Sequence, residues 1–70
     1  MRKIVIIDDE NRTRELIARM IDSFGFDVVT IPEGENVQSG IEAIEKHQPD
    51  IVFLDIQMPD GTGFDVIRSI

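Results

Sequence analysis

The segment Ile4-Val5-Ile6-Ile7-Asp8-Asp9-Glu10 combines an uninterrupted β-branched run with an abrupt acidic end. Such a run is typical of a strand that is buried on both faces of a parallel sheet. A second segment of this type, Ile51-Val52-Phe53-Leu54-Asp55, also ends in an acidic residue. Between them, Asp27-Val28-Val29-Thr30-Ile31 predicts another strand, which Pro32-Glu33-Gly34 is expected to end. We therefore expect three buried strands.

The segment after the first strand has the periodicity of an amphipathic helix. From Arg12 onward, apolar residues recur at helical spacing and are expected to face the sheet, with polar residues facing solvent. The predicted inner residues are Leu16, Ile17, Met20, Ile21 and Phe24, and the predicted outer residues are Arg14, Arg19 and Asp22. Gly25 is in the position of a residue that ends a helix in the left-handed conformation.

Capping signals predict two further helices. Asn36 is the expected N-cap of the second helix, which Pro49 stops. Its predicted inner residues are Val37, Ile41 and Ile44. Thr62 and Asp65 have the spacing of a capping box for the third helix. The predicted inner residues of that helix are Phe64, Ile67 and Ile70.

The resulting order, β-α-β-α-β-α, favours an α/β fold with a doubly wound parallel sheet and helices on both faces. The third predicted helix reaches Ile70 without a C-cap, and three apolar strands leave a bare sheet edge. We therefore expect residues 1–70 to form the first part of a larger domain. If that part exists alone, we expect a dimer or a strand-exchanged assembly.

Composition excludes several classes of protein. Asp and Glu number 14 against 7 Lys and Arg, and the net charge of −7 disfavours direct binding of nucleic acid. The absence of cysteine excludes disulfides, zinc–thiolate sites and thiol nucleophiles. No apolar run is longer than Ile4–Ile7, so no membrane span is predicted, and no signal peptide is visible. These features lead us to expect an acidic cytoplasmic module.

Acidic residues follow two of the predicted strands, where ligands bind in open parallel sheets. If the first and third strands are neighbours, Asp8, Asp9 and Asp55 share one cleft, and their mutual repulsion favours Mg²⁺. Asp55 is then the candidate nucleophile toward a phosphoryl group, and the backbone carbonyl of Gln57 offers a further oxygen. Considered separately, each feature has a simpler interpretation. Asp8-Asp9-Glu10 also fits an exposed acidic loop, and Asp55 also fits a turn-forming residue.

The segments Lys3–Glu10 and Pro49–Phe64 resemble the receiver domain of bacterial two-component response regulators. The resemblance implies a flavodoxin-like, CheY-like fold with strand order 2-1-3 over residues 1–70. It also implies that Asp55 takes a phosphoryl group from a sensor histidine kinase or a phosphotransfer protein. Mg²⁺ would be held by Asp9, Asp55 and the Gln57 carbonyl, with Asp8 acting through water. Such a module is a regulatory phosphoacceptor and not an enzyme.

Two finer features of the resemblance concern what lies beyond this chain. Asn36–Ile44 and Asp60–Phe64 are similar to LytTR-type regulators, which implies a DNA-binding output domain downstream. Complete receivers also carry a Ser or Thr after a fourth strand and a Lys after a fifth. Neither has a counterpart among these 70 residues.

Three alternatives remain at the level of sequence. An aspartate-based phosphatase usually places a second carboxylate two residues after its nucleophile, where this chain has Gln57. A truncated or degenerate receiver fragment would act only in protein association. Nucleotide binding is disfavoured, because Asp8-Asp9-Glu10 occupies the turn where a glycine-rich loop would cradle phosphate.

Overall fold

A computed structural model describes all of residues 1–70. The elements are β1 (Arg2–Ile7), α1 (Asn11–Ser23), β2 (Val28–Gly34), α2 (Val37–His47), β3 (Ile51–Leu54), β4 (Gln57–Met58), β5 (Gly61–Thr62) and α3 (Gly63–Arg68). The first three strands form a parallel sheet in the order β2-β1-β3, and β4 and β5 form a small antiparallel hairpin. The predicted α/β fold and strand order 2-1-3 are therefore confirmed.

The central strand β1 supplies the core on both faces of the sheet. Val5 and Ile7 belong to one buried cluster, whose other members are Ile31, Ala43, Met58 and Val66. Ile4 and Ile6 belong to a second cluster, which contains Ile21 of α1. Because each fully buried Val or Ile side chain contributes about 1.5–3 kcal/mol, this strand is a major source of stability.

Helix α1 contacts the sheet through a narrower stripe than its sequence predicts. Ile21 is buried and Ile17 packs against the same cluster. The remaining predicted inner residues are exposed, namely Leu16, Met20 and Phe24. The assignment of Arg14 to the outer face was wrong, since this residue is buried with 8% exposure. Gly25 follows the helix end with φ +73°, as expected for its C′ position.

Strand β2 extends three residues past its predicted end at Ile31, through Pro32 to Gly34. It is an edge strand, where a residue without an N–H is tolerated. The pairing shifts register before Ile7 meets Gly34. A Cβ on Gly34 would lie 2.6 Å from Ile7 Cγ1, so only glycine fits against that side chain.

Helix α2 begins as predicted, with the Ser39 N–H donating to Asn36 Oδ1 at 2.7 Å. Gly40 carries a propensity cost of about 1 kcal/mol relative to Ala. A Cβ at this position would lie 3.0 Å from Ile7 Cδ1 and Cγ2, so the glycine lets the helix approach β1 closely. The helix therefore packs directly against the last residue of the central strand.

Helix α3 has the predicted capping box, in which the Thr62 N–H donates to Asp65 Oδ2 at 2.9 Å. Its predicted inner face was wrong. Val66 and Gly63 are buried, whereas the predicted residues Phe64, Ile67 and Ile70 are exposed. The close packing of Gly63 against Leu54 and the chain after β3 fixes the rotation of this short helix. None of the three helices combines the length and apolar character that a membrane crossing requires.

Candidate functional site

The ends of β1 and β3 lie side by side. Ile7 pairs with Leu54, and the Asp55 N–H donates to the Ile7 carbonyl at 2.9 Å. The chain therefore leaves both strands at the same level of the sheet. Asp8 follows one strand directly and Asp55 follows the other, because parallel strands place their carboxyl ends at one edge.

This arrangement brings three carboxylates together. One oxygen each of Asp8, Asp9 and Asp55 lies within 4.8 Å of the other two. Asp8 and Asp55 are half-buried, and Asp9 is exposed. The two ion pairs of the chain, His47–Glu33 and Arg68–Asp65, involve none of the three carboxylates.

The electrostatics of the cluster suit a hard cation. Partial loss of hydration, and then the negative charges of Asp8 and Asp55, raise the pKa of Asp9 above its usual range. Three carboxylates at this separation offer only oxygen donors, which are the ligands that Mg²⁺ prefers. The donor set therefore fits the predicted ion.

The backbone of Asp8 is held from two sides. Its N–H donates to the Gly34 carbonyl at 2.8 Å, and its carbonyl accepts a 2.5 Å bond from Arg14 Nη1. Arg14 Nη2 donates to Asn11 Oδ1 at 3.0 Å, and the Glu10 N–H donates to Asp8 Oδ1 at 2.9 Å. Burial of Arg14 therefore follows from its contacts with the acidic loop. Periodicity gives no signal for such a role.

The segment after Asp55 is a compact hairpin formed by β4 and β5. The Gly63 N–H donates to the Ile56 carbonyl at 2.8 Å and closes its base. Met58 is buried in the core. Gln57 lies in β4, opposite Thr62, and is exposed. The cluster itself consists of the three carboxylates, and the Gln57 carbonyl stays a predicted ligand.

The tip of this hairpin contacts helix α2. Asp60 Oδ1 accepts a 2.7 Å bond from the Val37 N–H, and its Oδ2 accepts a 3.1 Å bond from the Gln38 N–H. The Val37 N–H, with a further contribution from that of Gln38, lowers the pKa of Asp60. The sequence indicates only a turn around Asp60, because its partners are distant along the chain.

An open pocket of about 160 Å³ adjoins Asp55. Most of its wall is apolar, formed by Leu54, Ile56, Gly63, Phe64 and Ile67. The candidate nucleophile therefore lies between an acidic cluster and an apolar wall.

Comparison with known proteins identifies the family. A family model described as the response regulator receiver domain matches residues 4–70. An uncharacterized response regulatory protein of Vibrio parahaemolyticus is 39% identical over 70 residues, which cover all of this chain and 28% of the relative. The sensory transduction protein LytT of Bacillus anthracis is 36% identical with the same coverage. The chain thus spans less than a third of the length of these relatives.

Solved structures agree with this assignment. Response regulator TrrA of Thermotoga maritima, in complex with Mg(2+)-BeF, matches with a TM-score of 0.83 and 31% identity, covering 100% of this chain and 58% of that chain. TrrA in complex with histidine kinase ThkA matches with a TM-score of 0.79 and 30% identity, covering 99% of this chain and 57% of that chain. The chain belongs to the response regulator receiver domain family.

Proposed function

We propose that this chain is a phosphoacceptor in which Asp55 receives a phosphoryl group from the phosphohistidine of a sensor histidine kinase or phosphotransfer protein. The observation that carries the proposal is the convergence of Asp8, Asp9 and Asp55 at the ends of β1 and β3. The complexes of TrrA with Mg(2+)-BeF and with a histidine kinase support the ion and the donor.

In this proposal Asp9, Asp55 and the Gln57 carbonyl hold Mg²⁺, and Asp8 acts through water. The bound ion supplies neutralisation of the carboxylate and phosphoryl charges. An Asp55 carboxylate oxygen forms the new bond to phosphorus, the phosphorus–nitrogen bond breaks, and the donor imidazole keeps the bonding electron pair.

The role is regulatory, so the chain is proposed to modify only itself and not to turn over a substrate. A phosphoryl group adds charge and three acceptor oxygens, which shift the conformational equilibrium of nearby loops. We further propose a cytoplasmic location and a DNA-binding output domain in the whole protein. The similarity of Asn36–Ile44 and Asp60–Phe64 to LytTR-type regulators supports the output domain as a proposal.

Phosphorylation of the full chain by acetyl phosphate tests this function. We expect intact mass spectrometry to show one added phosphoryl group when Mg²⁺ is present and none when it is chelated. Asp55→Asn should abolish the addition, whereas Asp27→Asn, which alters an exposed carboxylate, should retain it. Equal labelling of wild type and Asp55→Asn would contradict the proposal.

A second candidate function is protein association alone, by a dimer or strand exchange. It is favoured by β3, an edge strand whose Ile51 and Phe53 are 43% and 44% exposed. Both residues line a groove of about 550 Å³ that also includes Phe24 and Phe26. Self-association through this face is compatible with phosphorylation, so the two candidates need separate tests.

A further inference from the structure

Helix α2 contacts the chain next to the ends of both β1 and β3, where the acidic cluster lies. On one side, Gly40 lies against Ile7, the residue that precedes Asp8. On the other side, the first backbone N–H groups of the helix bind Asp60, at the tip of the hairpin that follows Asp55. The helix thus connects the two segments that carry the carboxylates.

The first three N–H groups of α2 are satisfied in two different ways. Ser39 donates to the adjacent N-cap Asn36, which is a local contact within the helix end. Val37 and Gln38 donate to Asp60, which lies 23 and 22 residues away in sequence. Free N–H groups at a helix start attract negative charge, so both contacts stabilise the helix. Only the Asp60 contact also fixes another segment of the chain.

That other segment is short and is held at three points. Gly63 closes its base through the Ile56 carbonyl, and Met58 is buried in the core. Asp60 fixes the tip. Gln57 lies between the base and the tip, two residues after Asp55. Loss of the tip contact therefore removes one of the three restraints on the backbone that carries the predicted carbonyl ligand.

We propose that Asp60 is a positioning residue of the cation site, holding the hairpin after Asp55 against the start of α2 so that Asp55 and the Gln57 carbonyl keep their places. This inference rests on the proposed function, because it assumes that the cluster binds Mg²⁺. Residues that orient metal ligands without touching the metal commonly affect affinity by about 10–100-fold.

Magnesium titration of the full chain, followed by the backbone amide signals in NMR, tests this inference. We expect Asp60→Ala to weaken Mg²⁺ binding about 10-fold, at the lower end of that range. Asn36→Ala is the matched control, because it also removes a cap of α2 but leaves the hairpin contact. Its affinity should stay at the wild-type value. Asp60→Asn keeps one acceptor oxygen and should recover part of the loss.

Amide hydrogen exchange gives a second measurement. If Asp60 served only as a cap of α2, Mg²⁺ binding would not change the exchange rates of the amides that donate to it. If the hairpin and the cation site are coupled, Mg²⁺ should slow exchange of the Val37 and Gln38 amides in wild type and not in Asp60→Ala. Asp60→Ala and Asp60→Asn with wild-type affinity would overturn the inference and leave the proposed function intact. Equal weakening by Asn36→Ala would also overturn it. Failure of the wild-type chain to bind Mg²⁺ would overturn both.

Discussion

Gly63 lies so close to Asp55 that a Cβ on the glycine would be 2.5 Å from the Asp55 backbone carbonyl oxygen. Real Cβ atoms essentially never approach a neighbour this closely. The start of α3 and the peptide of the candidate phosphoacceptor therefore pack as one unit. Because Gly63 also donates its N–H to the Ile56 carbonyl, a shift of this residue disturbs two consecutive residues, Asp55 and Ile56.

Gly63→Ala is expected to lower the free energy of unfolding and also to weaken Mg²⁺ binding. The added methyl group meets backbone rather than a flexible side chain, so overpacking should cost about 1–3 kcal/mol. Mg²⁺ binding should weaken as Asp55 is displaced. Urea unfolding and magnesium titration measure the two effects. Gly25→Ala is the control, since its Cβ meets nothing within 4 Å and the strain comes only from φ +73°. The Gly25→Ala variant should lose about 1–2 kcal/mol in the free energy of unfolding and keep the wild-type affinity for Mg²⁺.

Asp55→Asn should stabilise the chain without Mg²⁺ and remove most of the stabilisation that Mg²⁺ provides. One charge leaves a cluster whose oxygens lie within 4.8 Å of one another, so repulsion falls. At a Mg²⁺ concentration about 100 times the Kd, the free energy of unfolding of wild type should rise by about 2.7 kcal/mol. Thermal unfolding followed by circular dichroism, with and without Mg²⁺, measures both changes. Glu45→Gln, which removes a negative charge in the last turn of α2, should keep the full response to Mg²⁺.

Arg14→Lys is expected to loosen the loop that carries Asp8 and Asp9. Nη1 and Nη2 of the guanidinium donate to the Asp8 carbonyl and to Asn11 Oδ1, and a single ammonium cannot reproduce this fork. Loss of a partly buried hydrogen bond from a charged group should cost about 2 kcal/mol in the free energy of unfolding. Arg19→Lys, at an exposed position, should be neutral. Identical stability of the two variants would show that the Arg14 contacts contribute nothing.

Features fixed by adjacent residues could be predicted from the sequence. The bounds of β3, the N-cap Asn36 and the capping box of Thr62 and Asp65 follow from local propensity and hydrogen bonding. The convergence of acidic residues follows once strand order is assumed. Periodicity was less informative about the helix faces, because it reports the width of an apolar stripe and not how much of it a three-stranded sheet covers. Phe24 and Phe64 are exposed for this reason.

Contacts between distant residues account for the rest. Arg14 has the sequence signature of a solvent-facing helical position, and its burial depends on where the acidic loop lies above β1. Asp60 lies in a Pro-Asp-Gly turn, and its partners on α2 become neighbours only after the sheet has formed. No local rule encodes either contact, so both supports of the site were missed.

Acidification should reduce the contribution of Asp60 to stability. Its pKa is lowered in the folded chain, chiefly by the Val37 N–H, so the stabilisation is complete above the unfolded pKa of about 3.9. It is lost as pH falls through the lower folded value. Wild type should therefore be more stable than Asp60→Asn at about pH 7, and the difference should shrink at about pH 3. Urea unfolding at both pH values checks this. A difference that stays constant would contradict it, and Asp27→Asn, whose carboxylate makes no hydrogen bond, is the comparison variant.

Phe53→Lys should suppress self-association if the exposed edge of the sheet drives it. Phe53 lies on the edge strand, is 44% exposed and lines the groove beside Phe24 and Phe26. A lysine on an edge strand opposes pairing with another chain, because its charge would be buried in the contact. Sedimentation velocity over a concentration series should show wild type shifting to a larger species while Phe53→Lys stays monomeric. Phe64→Lys alters an exposed residue beside the Asp55 pocket and should still associate. A wild-type chain that stays monomeric at every concentration would contradict association through β3.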